Sequence, residues 1–217
     1  CRSLLGKDLT TSAQISVFRG SLIFQHTRFK GNVEFNNTFF LQPVEAKGAI
    51  FNEAVNLTQS RFSHRVTFAN ANFRRQVDFD GSVFFDEANF KKTQFKKNAE
   101  LKNTTFEDTA DFSNAIFQEL ANFSRARWDG TTNFYQARFI KQNQFTKANF
   151  QEFLFFKETS FVESVIFRET QFNLPVNKDG ASILNQADFS VAVFAKGAYL
   201  NVPSLIFNSD KAKILDN

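Results

Sequence analysis

Large hydrophobic residues recur along this chain in alternating steps of six and five. Stepping in that way from Phe18 to Phe172 gives 29 positions, of which 25 are Phe; the exceptions are Ala46, Leu57, Leu101 and Trp128. Two residues before each large residue stands a small or β-branched one in 26 of the 29 cases, with Leu22, Asn143 and Leu154 as exceptions. Positions reached by a step of five carry only Ala, Ser or Thr at that rung. Those reached by six carry mainly Val early and Ala through the middle.

Neither common period accounts for this. Eleven residues equal three turns of a helix at about 3.67 residues per turn, but positions five apart lie about 140° apart at 3.6 residues per turn. The Phe residues would then point to both sides of a helix. A long strand fails too, since inward alternation stops after each small–large pair. A solenoid remains, in which each short strand turns a corner and pairs with the coil above and below, so that the backbone polar groups are satisfied around an apolar column. The residue before the large one is often polar (Asn72, Asp78, Asn89, Gln94, Glu100, Asp111, Asn122), which suits a solvated face and caps corner backbone groups.

Segments such as Ala71-Asn72-Phe73, Ala88-Asn89-Phe90, Ala110-Asp111-Phe112, Ala121-Asn122-Phe123 and Ala148-Asn149-Phe150 follow the pattern A-(N/D)-(L/F)-x-x. From Ser16 to Phe172 the chain therefore resembles pentapeptide-repeat proteins. The resemblance implies an all-β, right-handed quadrilateral β-helix. The extra residue on alternate faces resembles the Phe-rich, 11-residue subtype and sets a coil of about 22 residues. Residues 22 apart then stack: Phe73, Phe95, Phe117, Phe139 and Phe161 in one column, and Phe84, Phe106, Trp128, Phe150 and Phe172 in another. Trp128 is expected inside the wall. The organisation expected is an N-terminal cap or tether (1–15), the regular helix (16–172), an irregular turn (173–180), a further coil or C-terminal cap (181–206) and a tail (207–217).

Composition adds little to this picture. The chain has 217 residues, 32 Phe, one Cys and two His, with a net charge of +4. That charge is well short of a nucleic-acid-binding tail, and no apolar run reaches the roughly 18 residues of a membrane span. There is no Cys/His zinc constellation, no P-loop and no G-x-S-x-G. Stacked carboxylates at Asp78 and Glu100 lack further ligands and read as a solvated face. No catalytic residue, cofactor, metal site, small-molecule substrate or nucleic-acid partner is expected, and the chain reads as non-enzymatic.

The surface is more informative. Arg74, Arg75, Lys91, Lys92, Lys96 and Lys97 map to neighbouring faces of adjacent coils, a basic patch suited to an anionic lipid surface or an acidic partner or else ordinary surface charge. Outward apolar residues (Phe39, Leu41, Val83, Phe85, Tyr135, Ile140, Phe153, Phe155, Val162) are not explained by a core, and read either as an interface or as scattered surface residues. A sole Cys at position 1 resembles a mature bacterial lipoprotein lipidated at Cys1, which implies an extracytoplasmic, membrane-anchored setting (periplasm or thylakoid lumen). The alternatives are an arbitrary chain boundary and a cytoplasmic protein. Two functions follow: a rigid scaffold for a protein partner, with a cyanobacterial thylakoid-like membrane complex as the setting the resemblance suggests, or a DNA mimic that binds gyrase.

Overall fold

The computed structural model describes residues 15–174 and, beyond them, the backbone of short strands at Val176–Asn177, Ser182–Ile183, Gln186–Asp188, Val193–Phe194, Ile206–Asn208 and Lys213–Ile214. The described residues form an all-β, right-handed quadrilateral β-helix of about 7 turns, with about 22 residues per turn. Its four parallel sheets are here called faces A to D. They begin at Ser16–Phe18 (A), Leu22–Ile23 (B), Arg28–Phe29 (C) and Val33–Glu34 (D), and every fourth strand returns to the same face. Through the regular part each strand pairs with the one 22 residues on, as in Phe73↔Phe95 and Phe84↔Phe106. That step continues through Phe172↔Phe194, after which Asp188↔Asn208 and Phe194↔Ile214 are 20 apart. The cap assigned to residues 1–15 falls, apart from Ile15, outside the described residues, as do residues 175 and 178–180 of the turn at 173–180.

Two kinds of corner alternate, and they explain the two step lengths. Between the buried pairs, the B–C and D–A corners hold two residues, whereas the A–B and C–D corners hold three. In a two-residue corner the residue that closes the turn donates its N–H back to the carbonyl of the large residue, as in Ala71 N to Phe68 O at 2.8 Å. The second corner residue has positive φ, as at Asn70 (58°), Asn103 (52°) and Gly81 (68°), which is the backbone of a type II turn. Polar side chains before the large residue cap this turn: Asn89 Oδ1 accepts from Lys91 N at 3.0 Å, and Asp78 Oδ1 from Asp80 N at 2.8 Å. Such caps occur on faces B and D, which lead into two-residue corners. Asn72 and Gln94 on face C precede the longer corner and make no such cap, which narrows the sequence expectation.

The restriction to Ala, Ser or Thr at the closing position now has a cause. Where a hydroxyl stands there, it donates to the equivalent turn carbonyl one coil earlier: Thr93 to Phe68 O at 2.7 Å, Thr104 to Phe79 O at 3.0 Å, and Thr170 to Phe145 O at 2.6 Å. A larger side chain would displace this staple from a fully buried corner.

Inside, the Phe ladder forms columns of parallel rings. Phe95–Phe117, Phe117–Phe139 and Phe139–Phe161 stack at 4.6, 4.7 and 4.9 Å, tilted by no more than 5°. These spacings are those of neighbouring strands. Columns on opposite faces B and D meet edge to face, as in Phe79–Phe90 (85°) and Phe134–Phe145 (88°), the other favoured geometry for aromatic pairs. Trp128 is fully buried and stacks between Phe106 (5.6 Å) and Phe150 (4.4 Å). Its Nε1–H has no partner. Ala46 replaces a ring in the face B column, and the same coils hold an apolar void of about 20 Å³ lined by residues including Phe24, Phe51, Leu57 and Phe68.

Candidate functional site

With the interior filled by its own rings, any site must lie on the outer surface. The apolar residues singled out from the sequence do not form one patch; they divide between two faces and three corners. Phe39 and Val83 point outward on face A with Arg61 between them in the ladder. Leu41 and Phe85 lie at the A–B corner, and all four are half-buried. Arg61 donates to Ser60 O and Gly81 O at 3.2 and 3.0 Å, and its partial burial lowers the guanidinium pKa. Ile140 and Val162 sit in adjacent coils at the C–D corner, on the side of the rod away from face B. Phe155 points outward on face B, Phe153 ends the corner that precedes it, and Tyr135 opens the B–C corner that follows that face one coil earlier. Phe153 is 49% exposed and its ring lies 6.2 Å from that of Phe155.

Val17 and Ile23 are also exposed, Ile23 by 70%, and Phe18, Phe24, Phe29 and Phe35 are only partly covered. These belong to the first described coil. Sequence reasoning passed over Val17 and Ile23, although position in the ladder, rather than residue type, marks them.

The basic residues come together in two groups. Arg74, Arg75, Lys96 and Lys97 occupy the C–D corner in adjacent coils, while Lys91 and Lys92 occupy the neighbouring B–C corner, where Lys92 has a φ of 57°. Glu53 and Glu119 end the row, one coil before Arg75 (3.9 Å) and one after Lys97 (3.8 Å). Both pairs are long and well exposed, so they neutralise the corner only weakly. Among the described residues, Arg74, Lys91, Lys92 and Lys96 form no ion pair.

Diagonally across the same coils, the A–B corner is acidic. It carries Asp86, Glu87, Glu107, Asp108, Asp129 and Glu152, of which only Asp129 is paired with a cation among the described residues, to Arg127 at 2.6 Å. Sequence reasoning missed this ridge, although the 22-residue step from Asp86 to Asp108 and from Glu107 to Asp129 stacks these residues just as it stacks the rings.

Asp78 and Glu100 are neighbours in the face D ladder, but their charges are answered by the protein. Lys102 Nζ lies 3.3 Å from Asp80 and 3.9 Å from Glu100, and Asn122 Nδ2 donates to Glu100 at 3.0 Å. The bond to Asp80 and the surrounding carboxylates raise the Lys102 pKa. Among the described residues there is no group of three or more His, Cys, Asp or Glu placed to hold a metal ion. His26 and His64 lie on different corners. Cys1 lies outside the described residues.

Comparison with known proteins places these features in context. The family described as "Pentapeptide repeats (9 copies)" matches residues 24–72, 57–105, 68–116 and 101–143, together more than half of the chain. No curated protein matches significantly. Among solved structures the chain is similar to HetL, a pentapeptide repeat protein involved in heterocyst differentiation regulation from the cyanobacterium Nostoc sp. strain PCC 7120. The likeness is 16% in sequence, over 82% of this chain and 89% of that chain, with a TM-score of 0.28, too low to carry an argument about function.

Proposed function

The chain belongs to the pentapeptide-repeat family, and on that premise we propose that it is a non-enzymatic scaffold whose rigid rod docks a protein partner on the aromatic patch of face B. The observation that carries this reading is Phe153, half exposed beside Phe155, with Tyr135 at the other edge of the same face one coil earlier. The core does not need these rings, and aromatic residues at the centre of an interface commonly contribute about 2 kcal/mol or more each. The rod is already ordered, so binding incurs little conformational entropy. Affinity capture from native membranes with the intact chain tests the proposal. A partner retained by the wild type and lost from Phe153→Ser/Phe155→Ser supports it; identical capture by both refutes it.

The finer reading sets that partner at a membrane, with Cys1 lipidated and the rod outside the cytoplasm, in the periplasm or a thylakoid lumen. It rests on the sequence alone, and the intact mass of native protein tests it: an unmodified thiol at Cys1 would sink it in favour of the cytoplasmic alternative. A gyrase-binding DNA mimic is the second reading. One row of acidic residues at the A–B corner favours it, since mimicry needs negative charge in place of phosphates. The basic corner in the same coils opposes it. Unchanged gyrase supercoiling activity in the presence of excess protein would remove it.

A further inference from the structure

The acidic and basic ridges occupy the two three-residue corners, and these corners are diagonal to one another. A copy of the rod moved sideways without rotation therefore brings the C–D corner of one molecule against the A–B corner of the next. The two corners differ in height by half a coil, which is 11 residues of chain (six plus five), or about 2.4 Å along the axis for strands about 4.8 Å apart. A slip of that size brings the central residue of each C–D corner opposite the residue 11 further on in the neighbouring copy.

The pairs this creates are Glu53 with His64, Arg75 with Asp86, Lys97 with Asp108, Glu119 with Gly130, and Lys141 with Glu152. No pair joins like charges, and the one glutamate without a basic or titratable counterpart meets a glycine. The chain runs in opposite directions through the two diagonal corners, so the first residue of one corner faces the third of the other. Arg74 then faces Glu87, and Ile140 faces the exposed Phe153. Of the five coils matched by this single offset, three join opposite charges at their centres (Arg75–Asp86, Lys97–Asp108 and Lys141–Glu152, where Lys141 also holds Glu163 at 2.8 Å), and one adds the apolar contact of Ile140 with Phe153. Within one molecule each ridge stacks like charges in neighbouring coils (Arg75 with Lys97, Asp86 with Asp108), which is unfavourable, and a second copy relieves both at once.

We propose that the partner of these corners is a second copy of this chain, and that the rods associate side by side, pointing the same way, through the basic C–D corner of one and the acidic A–B corner of the next. The contact is heterologous, so each added rod leaves one corner of each sign open and a row extends. This inference rests on the scaffold reading for its setting; it uses the corners and shares only Phe153 with the aromatic patch.

Sedimentation velocity of the full chain under reducing conditions tests it. Wild type should self-associate with increasing concentration, and raising NaCl from about 50 to 500 mM should weaken association at least roughly tenfold, because the charges are exposed. Arg75→Glu/Lys97→Glu sets acid against acid in the two central pairs, and Asp86→Lys/Asp108→Lys sets base against base there. Each variant alone should remain monomeric, and an equal mixture should associate again; unchanged circular dichroism would establish that both are folded. The proposal is overturned if wild type stays monomeric, if association ignores salt, if either variant associates as wild type does, or if the mixture fails to recover. It is overturned equally if anionic phosphatidylserine vesicles bind the C–D corner of a chain that never self-associates. Both variants keep Tyr135, Phe153 and Phe155, so partner capture through face B should persist in them, and failure of one proposal is distinguishable from failure of the other.

Discussion

Trp128 offers the sharpest test of how the columns are held, because replacing it with Phe sets two opposed effects against each other. The indole is fully buried and its N–H has no acceptor, a state that costs about 1–3 kcal/mol. Phe removes that donor, together with about two ring carbons whose burial stabilises by about 0.8 kcal/mol each. The balance runs from a loss of about 0.6 to a gain of about 1.4 kcal/mol, so Trp128→Phe should be as stable as wild type or slightly more so. Unfolding of a repeat rod is not safely treated as two-state, so the measurement must be local. Asp129 N–H donates to Phe106 O, and Gln151 N–H to Trp128 O, both at 2.8 Å; their hydrogen-exchange rates report opening of this coil. They should change by between about threefold faster and about tenfold slower, given that about 1.4 kcal/mol is a factor of ten. Exchange more than about tenfold faster would show that shape complementarity of the indole outweighs its unpaired donor, and would refute the reasoning.

Further outcomes follow from the corners. Thr104→Val removes the hydroxyl staple to Phe79 O and should cost about 1 kcal/mol, read as faster exchange of the Thr105 and Arg127 amides; no change would mean that the turn N–H alone satisfies the carbonyl. Arg125 holds a φ of 59°, which is unfavourable for a long side chain, so Arg125→Asn should stabilise by about 0.5–1 kcal/mol in denaturant titration. Gly130 has no such φ, but a Cβ there would lie 2.5 Å from the backbone carbon of Asp108; Gly130→Ala should cost at least about 1 kcal/mol through displaced backbone, and a neutral result would show that the A–B corner yields easily. Lys102, whose pKa is raised, contributes stability that is fully present below the ordinary lysine value of about 10.4 and is lost as pH rises through the higher folded value. Lys102→Gln should therefore destabilise by no more than about 0.5 kcal/mol at neutral pH, given solvent screening, with the difference from wild type vanishing in strong alkali.

The ladder was legible because each ring position is set by counting, and Trp128 could be placed in the wall without coordinates. Corner chemistry was harder to read. At the positive-φ positions His26, Lys92, Arg125, Glu158 and Glu169 carry none of the Gly or Asn signature that usually marks such a backbone; coil-to-coil hydrogen bonding imposes the turn whatever residue stands there. The caps from Asn89 and Asp78, and their absence at Asn72, depend on which corner follows, and residue type does not encode that. Basic residues at the C–D corner were visible as a run in the sequence, whereas Glu53 and Glu119 adjoin them only through stacking. The acidic ridge was open to the same arithmetic but is scattered along the chain, and scattered charges attract less notice than a run. Phe39 and Phe153 look alike in sequence; only the coordinates separate a half-buried ring beside Arg61 from an exposed one.

The 22-residue pairing of the regular coils makes this rod a graduated ruler. Insertion or removal of one coil would slide everything beyond it by about 4.8 Å while leaving each corner chemically intact, so the separation between any two surface features is quantised. A rod of altered length would carry its marks out of step with an unaltered neighbour, and a growing row would then discriminate by length as well as by charge.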